Sequence, residues 1–448
     1  MPSPRSSRPA RPARPVQRRP RPRPVDADAG QELELVVGPV AHGGHAVARL
    51  EGRVVFVRHA LPGERVRAVV TEGGPKFWRA DAVEVLSDPS PDRVPSAWPE
   101  AGPGGVGGGE LAFVSLDGQR RWKAAVVREQ LQRLAGLDRD VTVESAPGDE
   151  ERGGLHSRTR VDLVADAEGR AGMRKFRSHD VVPLDAMPLG TAEVAALADA
   201  EGVFTRRWAP GARLELVAPG DGSEPVLLVD GELWRGGRAD RRPNARRAVA
   251  ETVTPRRASG VAATFRYRVA ADGFWQNHRE APAVLSGAVL DAVGDLSGAS
   301  VLDLYSGAGL FTLPLAAAVG SDGRVVAVEG DARAVKDARR NAHHLPQVEL
   351  HLGAVDRVLA DGDAGGAGVG NADVVVLDPP RAGAGRGVVE AVAQRGPGRV
   401  VYVACDPAAL ARDVAYFAGH GYALGELRAF DLFPHTHHVE AVAVLERV

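Results

Sequence analysis

The sequence predicts an α/β protein: a doubly wound sheet of seven strands in the C-terminal third, preceded by a small β-barrel and a β-rich central region. Three observations lead there. Beyond Gly273, apolar runs of strand length alternate with stretches of helical spacing, the pattern of a sheet covered by helices. The first such run, Val301-Leu302-Asp303-Leu304-Tyr305, ends in the glycine turn Ser306-Gly307-Ala308-Gly309. Residues 31–86 instead carry short β-branched runs, with a turn signal roughly every ten residues, as a small barrel does.

The chain of 448 residues is 44% hydrophobic and 25% charged, ordinary globular composition with room for several domains. No apolar run approaches the length of a membrane span. The single cysteine, Cys405, excludes an internal disulfide framework and any cysteine-ligated metal cluster, and it fits a reducing, cytoplasmic compartment. Lysine is confined to Lys76, Lys123, Lys175 and Lys336, so nearly all positive charge is arginine.

Residues 1–29 form the first segment. Its opening stretch, as in Arg11-Pro12-Ala13-Arg14-Pro15, is rich in Arg and Pro and buries too little apolar surface to offset ordering entropy. A disordered basic arm is predicted, without the apolar stretch of a secretory signal. Residues 30–87 are the barrel. Leu33–Val37, Ala46–Leu50, Arg53–Val57 and Leu61–Val70 read as strands around the turn His42-Gly43-Gly44. This order resembles the TRAM domain, an RNA-binding barrel. Arg49, Arg53, Arg58, Arg65, Arg67, Lys76 and Arg79 are its candidate phosphate contacts, with Phe77 and Trp78 as candidate stacking faces. Residues 88–270 are a β-rich central domain, with a basic helical stretch over 119–134.

Residues 271–448 carry the chemistry. Strands are predicted at 301–305, 325–329, 348–352, 374–378, 399–404, 421–428 and 439–446. Gly307 and Gly309 in the first strand-to-helix turn allow close ligand approach, and Glu329 ends the second strand, where an acid can hold ribose hydroxyls. Thr312 stands where a dinucleotide site needs a small residue, so S-adenosylmethionine suits the loop better than NAD. Cys405 follows the strand Val401–Ala404, where nucleotide-binding sheets do their chemistry, and reads as a nucleophile. Glu440 opens the apolar run Ala441–Leu445, and an acid there is a candidate base with a raised pKa.

Five motifs in order resemble the RNA (uracil-5-)-methyltransferase family, in its TRAM-bearing branch acting on large-subunit ribosomal RNA, and the similarity spans 31–448. They are Gly273-Phe274-Trp275-Gln276, the glycine loop at 303–309, Asp378-Pro379-Pro380-Arg381, the Cys405 segment through Asp413, and Phe433-Pro434-His435-Thr436-His437-His438-Val439-Glu440. The resemblance implies a class I methyltransferase fold and S-adenosylmethionine as cofactor. It places Gln276, Tyr305, Glu329 and Asp378 around cofactor and uracil, Cys405 as nucleophile and Glu440 as proton acceptor. It also implies an RNA partner, ribosomal before transfer RNA; a monomer is expected, with no membrane span from the apolar runs and no metal from a chain with one cysteine. The chain departs from the family at several places. No cysteine quartet for an iron–sulfur cluster exists in 98–109, Ser306 replaces a Cys, Asp406 replaces an Asn, and His278 stands in an Asn position. Two other readings stand beside this one: amino-group methylation of a purine, which needs no thiol, and a non-catalytic RNA-binding or ribosome-assembly factor.

Overall fold

The computed structural model describes residues 28–242, 245, 247–258, 260, 261, 263–361 and 369–448. The Arg/Pro-rich arm lies outside the described residues, apart from its last two.

Five strands, β1 (Glu32–Ala41), β2 (His45–Leu50), β3 (Arg53–Arg58), β4 (Arg65–Glu72) and β5 (Phe77–Ser87), close into a barrel in the order β1-β2-β3-β5-β4. Alternation does the work: Leu33, Leu35 and Val37 of β1 point inward, between exposed Glu32, Glu34 and Val36. The barrel core continues into Leu111, Phe113 and, from helix α1 (Leu116–Gln130), Trp122 and Val126.

Two short elements, β6 (Val143–Ser145) and α2 (Asp149–Arg152), precede the central sheet. That sheet comprises β7 (Arg160–Ala165), β8 (Ala171–Arg174), β9 (Val181–Pro183), β10 (Arg213–Val217), β11 (Val226–Val229), β12 (Glu232–Arg235) and β13 (Arg238–Ala239), with α3 (Ala192–Ala200) between β9 and β10. Its order is β13-β12-β11-β10-β7-β8-β9, antiparallel throughout. Two small ladders, β14 (Ala248–Val253) with β17 (Phe265–Ala270) and β15 (Arg256–Arg257) with β16 (Gly260–Val261), lead to the C-terminal part.

There α4 (Ala281–Val293) precedes β18 (Ser300–Leu304), α5 (Thr312–Val319), β19 (Arg324–Glu329), α6 (Ala332–Asn341), β20 (Val348–Leu352), α7 (Val355–Asp361), β21 (Val374–Leu377), α8 (Gly385–Gln394), β22 (Arg399–Ala404), α9 (Pro407–Ala418), β23 (Tyr422–Asp431) and β24 (Glu440–Arg447). All seven predicted strands form, within three residues at either end. The sheet nevertheless has eight, in the order β20-β19-β18-β21-β22-β24-β23-β6, which corrects the expected seven. The eighth, β6, comes from ahead of the central sheet and pairs parallel to β23 at Ala429↔Val143.

The four inner parallel strands, β19, β18, β21 and β22, are buried on both faces and are correspondingly rich in apolar residues, whereas β20, at the edge, is only half-buried. Val301, Val325, Val376 and Val401 face α4 and α5, whereas Leu302, Val326, Val375 and Tyr402 face α8 and α9. The chain leaves β18 toward β19 on one side, and β21 lies on the other. The loops after β18 and β21 therefore open a crevice at the carboxyl ends of the strands, where ligands bind in open α/β sheets.

Candidate active site

That crevice is a cleft of about 990 Å³, and it gathers residues from every predicted motif: Gln276, Tyr305, Gly307, Glu329, Asp378, Cys405 and Glu440 all line it. Gly309 lies just behind, in the same turn, with φ +96°.

Strand register explains the central pair. β22 runs antiparallel to β24 with Ala404 opposite Ala441. Continuing that register by one residue sets Cys405 opposite Glu440, and both side chains reach the cleft. Residues far apart in sequence thus meet because each sits at the same end of adjacent strands. Glu440 is 5% exposed, and burial together with the neighbouring Asp378 carboxylate holds its carboxyl well above the usual range, with Arg381 opposing. The Cys405 thiol is pushed up to about 12 by burial, then by the charges of Glu440, Asp378 and Asp406, against Arg381. Burial and Asp303 raise Asp378 to about 7. The site thus holds a thiol and two carboxyl groups whose charged forms burial disfavours.

The glycine loop is built for approach. Tyr305 takes a left-handed backbone, φ 63°, and both Tyr305 and Ser306 donate their N–H groups to the Val328 carbonyl of the next strand. Gly307 follows at φ 55°, with open space where a Cβ would be. Its N–H donates to Glu329 Oε2 at 2.9 Å, while Glu329 Oε1 accepts from Asp331 N at 2.7 Å. Beneath the loop, Asp303 is raised to about 7 by burial and accepts a hydrogen bond from Thr312 Oγ1 at 2.5 Å.

The other walls are held from outside. Buried Asp413 accepts from Ala384 N at 2.7 Å and from the Tyr402 hydroxyl at 2.8 Å, fixing the loop after Asp378-Pro379-Pro380. Arg381 and His438 meet at 3.2 Å, and burial, with the nearby charges of His437 and Arg381, lowers His438 to about 3. The segment from Asp431 to Glu440 is tied to the region before β6. Lys123, fully buried on α1, donates to Asp431 and to the Phe433 carbonyl at 3.0 Å. Gln119 Oε1 accepts from His435 N at 2.6 Å, and Glu110 accepts from both His437 N and Nδ1. The three histidines of the C-terminal motif are thus spoken for by protein groups.

Some sequence expectations change. Trp78 is 7% exposed, part of the barrel core, and its indole N–H donates to Asp28, so it offers no stacking face; Arg53 lies over it at 4.1 Å. Arg58 is buried against Asp81 and Phe176 and is withdrawn from any phosphate. Arg65, Arg67 and Arg79 pair with Glu34, Glu84 and Glu72. Arg49 and Lys76 remain exposed, and Phe77 is 36% exposed. Phe274 is 75% exposed on the lip of the cleft, and only that outward exposure distinguishes it from buried Trp275. His278, in the family's Asn position, is buried and bonded to Asp149 at 3.0 Å, away from the cleft.

Comparison with known proteins decides the family. Residues 370–448 match the model for tRNA (uracil-5-)-methyltransferases, 27–83 match the TRAM domain, and 273–377 match the protein-L-isoaspartate(D-aspartate) O-methyltransferase model. A protein of Bifidobacterium longum named an uncharacterized RNA methyltransferase is 44% identical over 439 residues, 93% of this chain and 97% of its own. The 23S rRNA (uracil(1939)-C(5))-methyltransferase of Acinetobacter baylyi is 31% identical over 89% of this chain and 90% of its own. The chain belongs to the RNA (uracil-5-)-methyltransferase family. It is an enzyme of that class, and S-adenosylmethionine is its cofactor. The fold also matches the tRNA (uracil-54, C5)-methyltransferase of Pyrococcus abyssi, solved with S-adenosyl-L-homocysteine, at TM-score 0.63 and 23% identity over 92% of this chain and all of that one.

The cleft suits this cofactor on its own chemistry. Ser306 Oγ, lining it, is buried without a hydrogen-bond partner among the described residues. Gly307 leaves room for close approach, and the carboxylates of Glu329 and Asp378 favour a cationic sulfonium over a diphosphate. Among the described residues no helix is long and apolar enough to cross a membrane.

Proposed function

We propose that this enzyme makes 5-methyluridine in large-subunit ribosomal RNA through a covalent bond between Cys405 and C6 of the target uracil. The observation that carries the reading is the Cys405–Glu440 pairing across β22 and β24, inside the cleft that Glu329 and Asp378 share.

Uracil C5 is too weakly nucleophilic to be alkylated unaided. Cys405 Sγ adds to C6, its proton passing to a carboxylate of the site, and the C5=C6 electron pair moves to give an enolate at O4. Arg381, which lines the cleft and acts electrostatically on Cys405, is the candidate to stabilise this charge. Gln276, Tyr305, Glu329 and Asp378 would hold S-adenosylmethionine, which when bound would supply an electrophilic methyl group for C5 and leave as S-adenosylhomocysteine. Glu440 then removes the C5 proton; its raised pKa gives it basic strength a solvated carboxylate lacks. The C6–S bond breaks, the double bond reforms and Cys405 is regenerated. The target base must leave its stack to reach a thiol at a strand end, and exposed Phe274 offers it a ring on the way in.

The barrel and the similarity to the Acinetobacter enzyme support ribosomal RNA as the substrate. Mapping 5-methyluridine in ribosomal and transfer RNA from a strain lacking the gene tests it: loss from 23S rRNA is expected. Loss from transfer RNA alone would redirect the substrate while leaving the chemistry intact.

A further inference from the structure

The turn between β1 and β2 reaches the nucleophile. His42 Nε2 donates to Asp406 Oδ2 at 3.0 Å, joining residues 364 positions apart, and Asp406 directly follows Cys405. The other oxygen of the same carboxylate, Oδ1, accepts from Ala409 N at 2.8 Å and caps α9. Neither residue lines the cleft. The turn is held in place: Gly43 and Gly44 have φ +95° and +77°, and a Cβ on Gly44 would stand 3.1 Å from both Glu110 and His437. The barrel is therefore wedged against the C-terminal motif, with His42 extended to the turn that carries the thiol.

We propose that His42 is a positioning residue for Cys405: its imidazolium holds the Asp406 carboxylate in the cap of α9 and offsets that carboxylate's charge beside the thiol. The proposal rests on Cys405 being the nucleophile. The groups acting on His42 are Asp406, Glu129 of α1 and Arg133 in the turn after it. Those acting on Cys405 are Glu440, Asp378, Arg381 and Asp406. Hydrogen bonding to Asp406 raises His42 above its ordinary 6.5, and the same contact lowers Asp406 below 3.8, against burial. A raised histidine contributes below its unfolded value and loses that contribution as pH climbs through the folded one. A lowered carboxylate contributes above its unfolded value. The pair is thus charged from about pH 4 to beyond pH 6.5. This contact joins the barrel to the reactive turn.

Because Cys405 is the sole cysteine, alkylation of the full-length protein by iodoacetamide reads this thiol alone, without RNA. His42→Gln keeps a donor but removes the charge. At pH 6–7 it should alkylate about threefold more slowly, as about half a pKa unit of lost compensation gives. Asp406→Asn retains a helix cap and removes the charge to be offset, so H42Q added to D406N should change nothing further. With RNA, H42Q should lower kcat and leave the KM for RNA unchanged. Alkylation at the parental rate in H42Q, or an equal slowing in the D406N background, overturns the proposal. If alkylation responds as expected but Cys405→Ala still methylates RNA, the positioning stands and the covalent mechanism falls.

Discussion

Replacing Lys123 by methionine tests how the segment leading to Glu440 is held. Lys123 has no exposed side-chain surface and Asp431 has 3%, and the ammonium also serves the Phe433 carbonyl. Lys123→Met leaves a buried carboxylate without its cation, which costs about 3–5 kcal/mol, and a carbonyl without its donor, about 1 kcal/mol more. At roughly 2–4 °C per kcal/mol for a unit of this size, a total loss of about 4–6 kcal/mol lowers Tm by about 8–24 °C. Burial lowers the Lys123 pKa even with Asp431 beside it, so desolvation outweighs attraction. The double variant K123M/D431L should therefore recover most of the loss and could exceed the parent by about 1–4 kcal/mol. It should not recover full turnover, because the strand end leading to Glu440 has lost its anchor. Urea and thermal melts measure the first effect, and single-turnover methylation the second. A K123M variant within about 1 kcal/mol of the parent would refute the reasoning.

Three further outcomes are expected. Glu440→Gln should join Cys405 to RNA and transfer the methyl group, then stall, with release slowed by about 10²–10⁴-fold and a methylated adduct that survives denaturation; normal turnover would move the base elsewhere. Asp303 is an acid raised from 3.8 to about 7, so the fold pays increasingly for its charge as pH rises between those values and by a constant amount above them. Asp303→Asn, which keeps an acceptor for Thr312, should then stabilise by about 4 kcal/mol at pH 8 and almost nothing at pH 4; a pH-independent effect in urea melts would contradict that sign. Arg49→Ala and Lys76→Ala, both exposed on the barrel, should each weaken RNA binding and lower the salt slope by about 1, leaving cofactor binding unchanged in titrations.

The catalytic sheet was legible because doubly buried parallel strands must be written as continuous apolar runs, and Val325–Val328, Val374–Leu377 and Val400–Val403 are so written. β6 was not, since Val143-Glu144-Ser145 is too short to carry a period and is defined only by its partner β23. β5 has a weak signal for a related reason: its pairing with β4 shifts register three times, which breaks the alternation a strand should show. The chemical residues were legible because they cluster at strand ends, where one register decides what meets what. Which barrel cations face solvent was not, because Arg58 and Trp78 differ from Arg49 and Phe77 only in the face they occupy. The His42–Asp406 contact has no local signal at all, being made by two turns on separate domains.

The central claim is the bond between Cys405 and C6 of uracil. Its most direct test is the intact mass of the full-length protein after incubation with S-adenosylmethionine and a ribosomal RNA fragment carrying 5-fluorouridine at the target. Fluorine leaves no C5 proton for Glu440 to take, so a covalent species with the mass of protein, RNA and one methyl group should accumulate and should be absent from Cys405→Ala. An adduct that persists without Cys405, or none with an RNA that the enzyme methylates when it carries ordinary uridine, would contradict the account.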